Sequence, residues 1–264
     1  MANPTQGAVA SKGCVSPNGR FMLRALVITV LTVTVAITAA TPLSAAEPQR
    51  ETRSLSGFTR IEIDGQVELT LRQGQKEAVT IEAPAQALPH IRTEVHDGTL
   101  VISSGGERHW WDWVLGGASM RSPRITVDFS RLERIDAAGA VKLNADSIKA
   151  DDLRLDFAGA CTLRVADLQA SRLRLDGSGA VKAEVGGKVA TQYVDLSGAG
   201  SYQAAELASD SAVLRVSGAG KAIVKVASKL KVEVSGAGTV EYIGEPKVEK
   251  QVSGVAKIVR CDAP

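Results

Sequence analysis

Ala138-Gly139-Ala140, Ala158-Gly159-Ala160, Ser178-Gly179-Ala180, Ser197-Gly198-Ala199, Ser217-Gly218-Ala219, Ser235-Gly236-Ala237 and Ser253-Gly254-Val255 are one phrase returning along the second half of the chain. Successive glycines stand 20, 20, 19, 20, 18 and 18 residues apart. A near-constant period of this length marks a repeat architecture in which each unit packs on its neighbours. Two and four residues before the glycine the side chains are apolar, as in Phe157 and Leu155, Leu196 and Val194, Val216 and Leu214, Val234 and Val232. Three before it they are polar: Asp136, Asp156, Asp176, Asp195, Arg215, Glu233 and Gln251. Alternation with period two is a strand with one buried face. It resumes after the glycine, as in Val181-Lys182-Ala183-Glu184-Val185.

Each unit therefore reads as strand, tight glycine corner, strand and a looser connection such as Ala166-Asp167-Leu168-Gln169-Ala170-Ser171. Glycine supplies the positive φ or the close approach that a corner needs. Two short strands cannot bury an apolar face alone, but coils stacked about 4.8 Å apart merge those faces into one core. The expected class is all-β, a β-solenoid with about seven glycine-cornered rungs over residues 132–264. A hairpin array competes with it, although that would place similar turns at both ends of every strand. No apolar stripe of period 3.6 persists to support helices.

Working outward, residues 58–131 read as irregular β strands that cap the stack, for example Phe58 to Ile63, Val67 to Leu71 and Thr99 to Ile102. Asp64-Gly65, Gln73-Gly74 and Asp97-Gly98 supply the turns between them. Within this section, residues 105–123 form an insertion that carries all three tryptophans, Trp110, Trp111 and Trp113, between glycine pairs. Clustered tryptophans are candidate contact residues, because they bury large area at low entropic cost. The plainer alternative is a loop that folds its rings over exposed apolar surface of the stack. Residues 47–57 are polar and read as a flexible leader.

Residues 1–46 contain no acid, three cations (Lys12, Arg20, Arg24), an apolar run from Ala25 to Ala40, and the small residues Ser44-Ala45-Ala46. This is the pattern of a secretory signal, with cleavage expected after Ala46 and no stable membrane span afterwards. Three of the chain's 31 cations go with it, leaving 28 against 29 carboxylates. That balance, without a basic stripe interleaved with aromatics, excludes a nucleic-acid partner. Cys161 and Cys261 remain and fall about five rungs, on the order of 24 Å, apart, too far to bridge.

Phe58-x-x-Ile61, the Asp97-Gly98-Thr99-Leu100 strand entry, the Ser-Gly-Ala-Gly corners and the ending Val240-Glu241-Tyr242-Ile243-Gly244-Glu245-Pro246 resemble DUF2807, the auto-transporter adhesin head GIN domain family. The resemblance covers roughly residues 58–260. It implies a right-handed, pectin-lyase-like β-helix with a role in adhesion, and the secretory signal adds the expectation of residence in the cell envelope of a Gram-negative-type bacterium, periplasmic or surface-associated. It implies no catalytic residue and no cofactor. Ala138 and Ala158 depart from the usual serine, which keeps the size of the corner and gives up one hydroxyl.

The residues themselves point the same way on chemistry. The stacked carboxylates Asp136, Asp156, Asp176 and Asp195 need compensation, and Arg154 and Arg174, two residues upstream on the same face, supply it more cheaply than a bound cation. No metal site is therefore assigned. His90, His96 and His109 all precede the repeats, and the repeated serines are structural, since a nucleophile needs one serine beside one base. The expectation is a non-enzymatic exported module whose partners are polysaccharide or envelope protein, with self-association as a further expectation. A polysaccharide-processing β-helix enzyme and an oligomerising periplasmic scaffold are the alternatives.

Overall fold

The computed structural model describes residues 48–105 and 122–261. The expectations for residues 1–46 and for Trp110, Trp111, Trp113 and His109 lie outside the described residues. Within them the chain is nearly all β, the exception being a single 3-10 turn at Leu88–His90.

Alternation writes the strands. β1 (Gln49–Arg53), β2 (Arg60–Gln73), β3 (Ala78–Ala83), β4 (Ile91–His96), β5 (Thr99–Ser104) and β6 (Arg124–Phe129) precede β7 (Arg134–Ile243), an extended run of 110 residues bent at its glycines, and β8 (Lys247–Cys261). All belong to one hydrogen-bonded sheet. β2 pairs in parallel with β7 from Arg60 opposite Arg134 to Leu71 opposite Ala145, which sets Gly65 against Gly139. β7 pairs in parallel with β8 from Lys229 opposite Lys247 to Ile243 opposite Cys261, which sets Gly236 against Gly254.

Between those two ends β7 passes its own earlier glycines. A Cβ built on Gly159 would lie 2.5 Å from the Gly139 carbonyl oxygen, one on Gly179 2.5 Å from that of Gly159, and one on Gly198 2.7 Å from that of Gly179. Gly218, Gly236 and Gly254 continue the series, each against the glycine before it. All seven have φ between +101° and +124°. The backbone thus stacks on itself along one edge where no side chain fits. Gly65 (φ +106°) stands at the head of the same column. In the sequence it reads only as a turn between irregular strands, because Asp64 and Gln66 replace the small residues found around the other corners.

The strands before β7 close the end of the sheet beyond β2. The first leg of β2 pairs with β5 and the second with β6, both parallel, and the antiparallel partners β4, β3 and β1 complete this end. Asp97 (φ +48°) and Gly98 (φ +73°) form the two-residue turn joining β4 to β5, as their sequence suggests. Gln49–Arg53 differ from the flexible leader expected of them. They form β1, held by Arg50 on Glu82 and by Arg53, whose Nη1 donates to Ile91 O at 3.0 Å and Thr93 Oγ1 at 2.7 Å.

Inward positions form long apolar columns. Ile61, Ile135, Leu155, Leu175, Val194, Leu214 and Val232, each four residues before its corner, are all buried. One polar chain interrupts this core. Tyr202 Oη donates to Gln192 Oε1 (2.8 Å), Gln192 Nε2 to Ser209 Oγ (2.8 Å), and Ser209 Oγ to the Lys225 carbonyl (2.8 Å). Every member is satisfied, so the cost of burying it is offset.

Candidate functional site

The face leading into the glycine corner carries the chemistry. Five residues before the glycine stand Arg134, Arg154 and Arg174, and three before it Asp136, Asp156, Asp176 and Asp195. Strand alternation sends both columns outward, and glycine stacking fixes their register. Arg134 Nη2 donates to Asp136 Oδ1 at 2.7 Å and reaches Asp156 Oδ2 at 2.9 Å. Arg154 Nε donates to Asp156 Oδ2 at 2.9 Å and its Nη2 lies 3.7 Å from Asp176 Oδ2. Arg174 Nε donates to Asp176 Oδ2 at 2.6 Å. Each of the first two arginines thus bridges its own level and the next, and the columns form a zigzag ladder. The hydrogen bond to Asp136 raises the pKa of Arg134, and the one to Asp176 raises that of Arg174. Ion pairs this exposed contribute about 0–1 kcal/mol each, so the ladder orders the surface more than it stabilises the fold.

The ladder stops at the next level. Tyr193 occupies the arginine position with 43% of its surface exposed, and Asp195 beside it makes no ion pair among the described residues. Farther on, Arg215 and Lys231 both bind Glu233, at 2.9 and 2.7 Å. Tyr193 also lines a groove of about 1080 Å³ shared with Lys149, Gln169, Arg172 and Arg174. In it Arg172 is clamped to Asp152 by two hydrogen bonds, the Nη2 to Oδ2 one at 2.6 Å, while Lys149 and Asp151 are exposed and free of ion pairs among the described residues. A second groove, of about 640 Å³, runs along the aspartate column past Ser178 and Ser197. Sequence reading identified the Asp column and its arginines. It missed Tyr193, whose signal is the break in the arginine series.

The other residues singled out in sequence lie apart from this face. Gly139, Gly159, Gly179, Gly198, Gly218, Gly236 and Gly254 form the stacked edge and bring no reactive group to it. Ser104 and Ser122, which flank the tryptophan-bearing insertion, both hydrogen-bond to Gln66, next to Gly65 at the head of the glycine column. His96 bonds Glu94 at 2.9 Å, which lowers the Glu94 pKa, and His90 ends the 3-10 turn. Cys161 is a buried free thiol whose pKa burial pushes up, and Cys261 is free and half-buried. Among the described residues no group of three His, Cys, Asp or Glu is arranged to hold a metal ion. No described helix is long and apolar enough to cross a membrane.

A family model described as "Putative auto-transporter adhesin, head GIN domain", DUF2807, matches residues 57–246. Among solved structures, a "putative adhesin" from Bacteroides fragilis superposes with a TM-score of 0.72 at 17% identity, covering 81% of this chain and 97% of that one. A "putative adhesin" from Parabacteroides merdae gives 0.64 at 15% identity, over 82% and 97%. A "putative lipid binding protein" from Parabacteroides distasonis gives 0.62 at 15% identity, over 82% and 98%. At these identities the likeness is one of fold. No curated protein matches the sequence.

Proposed function

The chain belongs to the DUF2807 family, and from that premise we propose that it is an adhesin-like, non-enzymatic module exported to the cell envelope, built as a right-handed β-helix whose outward faces bind polysaccharide or envelope protein. The observation that carries this reading is the glycine column. It holds successive levels of the chain in one register, so outward side chains repeat in rows and present an extended surface to a repetitive partner. Relatives of the same fold bear adhesin names, which supports the envelope setting. Three of the four aspartates in the row are already engaged by arginines, which supports binding over catalysis. The acid-free, basic-then-apolar start of the sequence supports export, with cleavage after Ala46 and periplasmic or surface residence.

The test combines location and chemistry. The full-length chain, expressed in a Gram-negative host and fractionated, is expected in the envelope fraction, and the purified protein is expected to co-sediment with isolated envelopes. Incubation with polysaccharides should release no reducing ends and no unsaturated products. Recovery in the cytoplasm, or turnover of any polysaccharide abolished by substitution in the aspartate row, would overturn the proposal.

A further inference from the structure

Resting on that binding reading, we infer that the groove over Tyr193 is a saccharide site, and that its ligand class is a neutral, linear polysaccharide.

Among the described residues, Tyr193 is the tyrosine or phenylalanine ring left exposed. Four levels in a row, beginning with Arg60 before Gly65, place arginine five residues before the corner, and the fifth places tyrosine there, at 43% exposure and at the edge of a groove of about 1080 Å³. Tyr202, by contrast, is fully buried and engaged with Gln192. An exposed aromatic face is a platform for the C–H bonds of a pyranose ring, and it pays little conformational entropy on binding. Tyr193 also sits where the arginine–aspartate ladder ends, so the platform adjoins a row of polar groups already held in place.

The charge arrangement decides between a neutral and an acidic glycan. An anion-binding groove presents cations that lack partners. Here Arg131, Arg154, Arg172 and Arg174 are each tied to a carboxylate, and Lys149, which has no ion pair among the described residues, shares the groove with the equally free Asp151, so the lining presents no excess of unpartnered cations. A guanidinium and a carboxylate that fix one another offer donors and acceptors side by side at set positions. A sugar hydroxyl donates and accepts at once, so it matches such a pair where a carboxylate or an ammonium group would not. Asp195, two residues on from Tyr193 and without an ion pair among the described residues, adds a free acceptor on the neighbouring groove that runs along the aspartate column. Preorganised pairs lower the ordering cost of binding. Levels spaced at the ordinary inter-strand distance, about 4.8 Å, repeat them at a step close to that of sugar rings in an extended chain.

Isothermal titration of the folded protein with cellohexaose, xylohexaose and polygalacturonate, at low and high salt, tests this. A neutral hexasaccharide is expected to bind with little salt dependence. Tyr193→Ala and Tyr193→Arg should each weaken it by about tenfold or more, and Tyr193→Phe should preserve it. Tyr193 is exposed, and Tyr193→Arg continues the arginine series, so these variants are expected to fold as wild type. Failure of both neutral ligands, binding indifferent to Tyr193→Ala, or binding of polygalacturonate alone with steep salt dependence overturns the inference. Co-sedimentation with isolated envelopes separates the two readings. Envelope binding without any oligosaccharide binding sinks this inference alone, and oligosaccharide binding without envelope binding sinks the envelope assignment alone.

Discussion

Replacing Gly179 by alanine tests the column on which the rest of the surface depends. Gly179 has φ +101°, and its new Cβ would lie 2.5 Å from the Gly159 carbonyl oxygen and 3.2 Å from Gly159 C and N. An L residue held in the left-handed region costs about 1–2 kcal/mol. The contact adds to it, because the atoms in the way are backbone and Gly198 presses from the other side, its own Cβ position 2.7 Å from the Gly179 oxygen. Overpacking of this kind costs about 1–3 kcal/mol. The sum, about 2–5 kcal/mol, is a large part of the 5–15 kcal/mol that ordinary domains possess. Two controls grade the effect. At Gly254 the φ of +124° and the approach to Gly236 are comparable, but among the described residues β8 has no pairing partner beyond it and can shift outward. Gly254→Ala should therefore cost little more than the conformational part. Gly74 lacks a left-handed φ and has no atom within 4 Å of its Cβ position, so Gly74→Ala should stabilise by about 0.4–1 kcal/mol. Urea unfolding followed by circular dichroism gives the ranking from midpoints at constant slope. If Gly179→Ala is no worse than Gly254→Ala, the levels do not press on one another at the corner and the stacking argument fails.

Three further outcomes follow from particular contacts. Glu77 accepts from the Ser130 hydroxyl and, at 2.6 Å, from the Gly57 N–H, in that order of importance for lowering its pKa. Its folded value lies below the unfolded one, so its contribution is complete above the ordinary glutamate range near about 4.3 and fades as the pH falls through the folded value. The melting-temperature gap between wild type and Glu77→Gln should shrink on acidification across that window, and a gap that widens would refute the assignment. Tyr202→Phe leaves the buried Gln192 Oε1 without its donor and should cost about 1–3 kcal/mol in chemical denaturation, against nothing if a water takes the hydroxyl's place. Lys250→Val with Arg260→Val should raise concentration-dependent association above wild type in analytical ultracentrifugation, and unchanged sedimentation would show that these cations do not guard the edge.

That last pair rests on how the open end is finished. Lys250 lies opposite Val232 and Arg260 opposite Tyr242, at inward positions of the final level. The equivalent places in earlier levels hold Ile135, Leu155 or Leu214, and Leu71, Val165 or Val224, all buried. Val252 and Val255 are 50% and 82% exposed on the same strand. A strand of 15 residues whose outer side has no partner among the described residues is a template for another chain, and charges at inward positions are a known way to blunt one. Among the described residues the level before β7 is thus flanked by antiparallel strands, whereas the β8 level carries charge at inward positions.

Much of this was legible in the sequence because period two and a recurring glycine are local signals. Alternation located the buried columns, and the glycine spacing located the corners. Gly65 escaped because its neighbours are Asp64 and Gln66, and the stacking that defines the column is a contact between residues 74 positions apart. β1 escaped because Gln49–Arg53 has no apolar alternation; its order comes from backbone pairing with β3 and from two arginines. In the site, the aspartates and their arginines were visible as neighbours on one strand. The bridging from Arg134 to Asp156 and from Arg154 to Asp176 spans 22 residues and needs the register.

The Ser-Gly-Ala-Gly phrase shows how a local pattern can hide two physical causes. Its first glycine stacks backbone on backbone, but the second, at Gly200, Gly220 and Gly238, lacks the left-handed φ. A Cβ there would meet side chains instead: Leu196 at 3.1 Å, Val216 at 2.7 Å and Val234 at 3.0 Å, each two residues before the same corner. Where that preceding residue is small, the following one is larger, as in Ala137 with Val141 and Gly177 with Val181. At Gly177 the missing side chain is replaced by Leu196 of the next level, 3.1 Å from its Cβ position. The inside of the corner is thus filled by exchange of volume across the turn and between levels, as close packing requires. The first glycine is fixed by backbone geometry and returns in every repeat, while the second varies with its partner. Corner positions and core volume can therefore change independently, which leaves the outward columns free to carry arginine, aspartate or tyrosine without disturbing the register that aligns them.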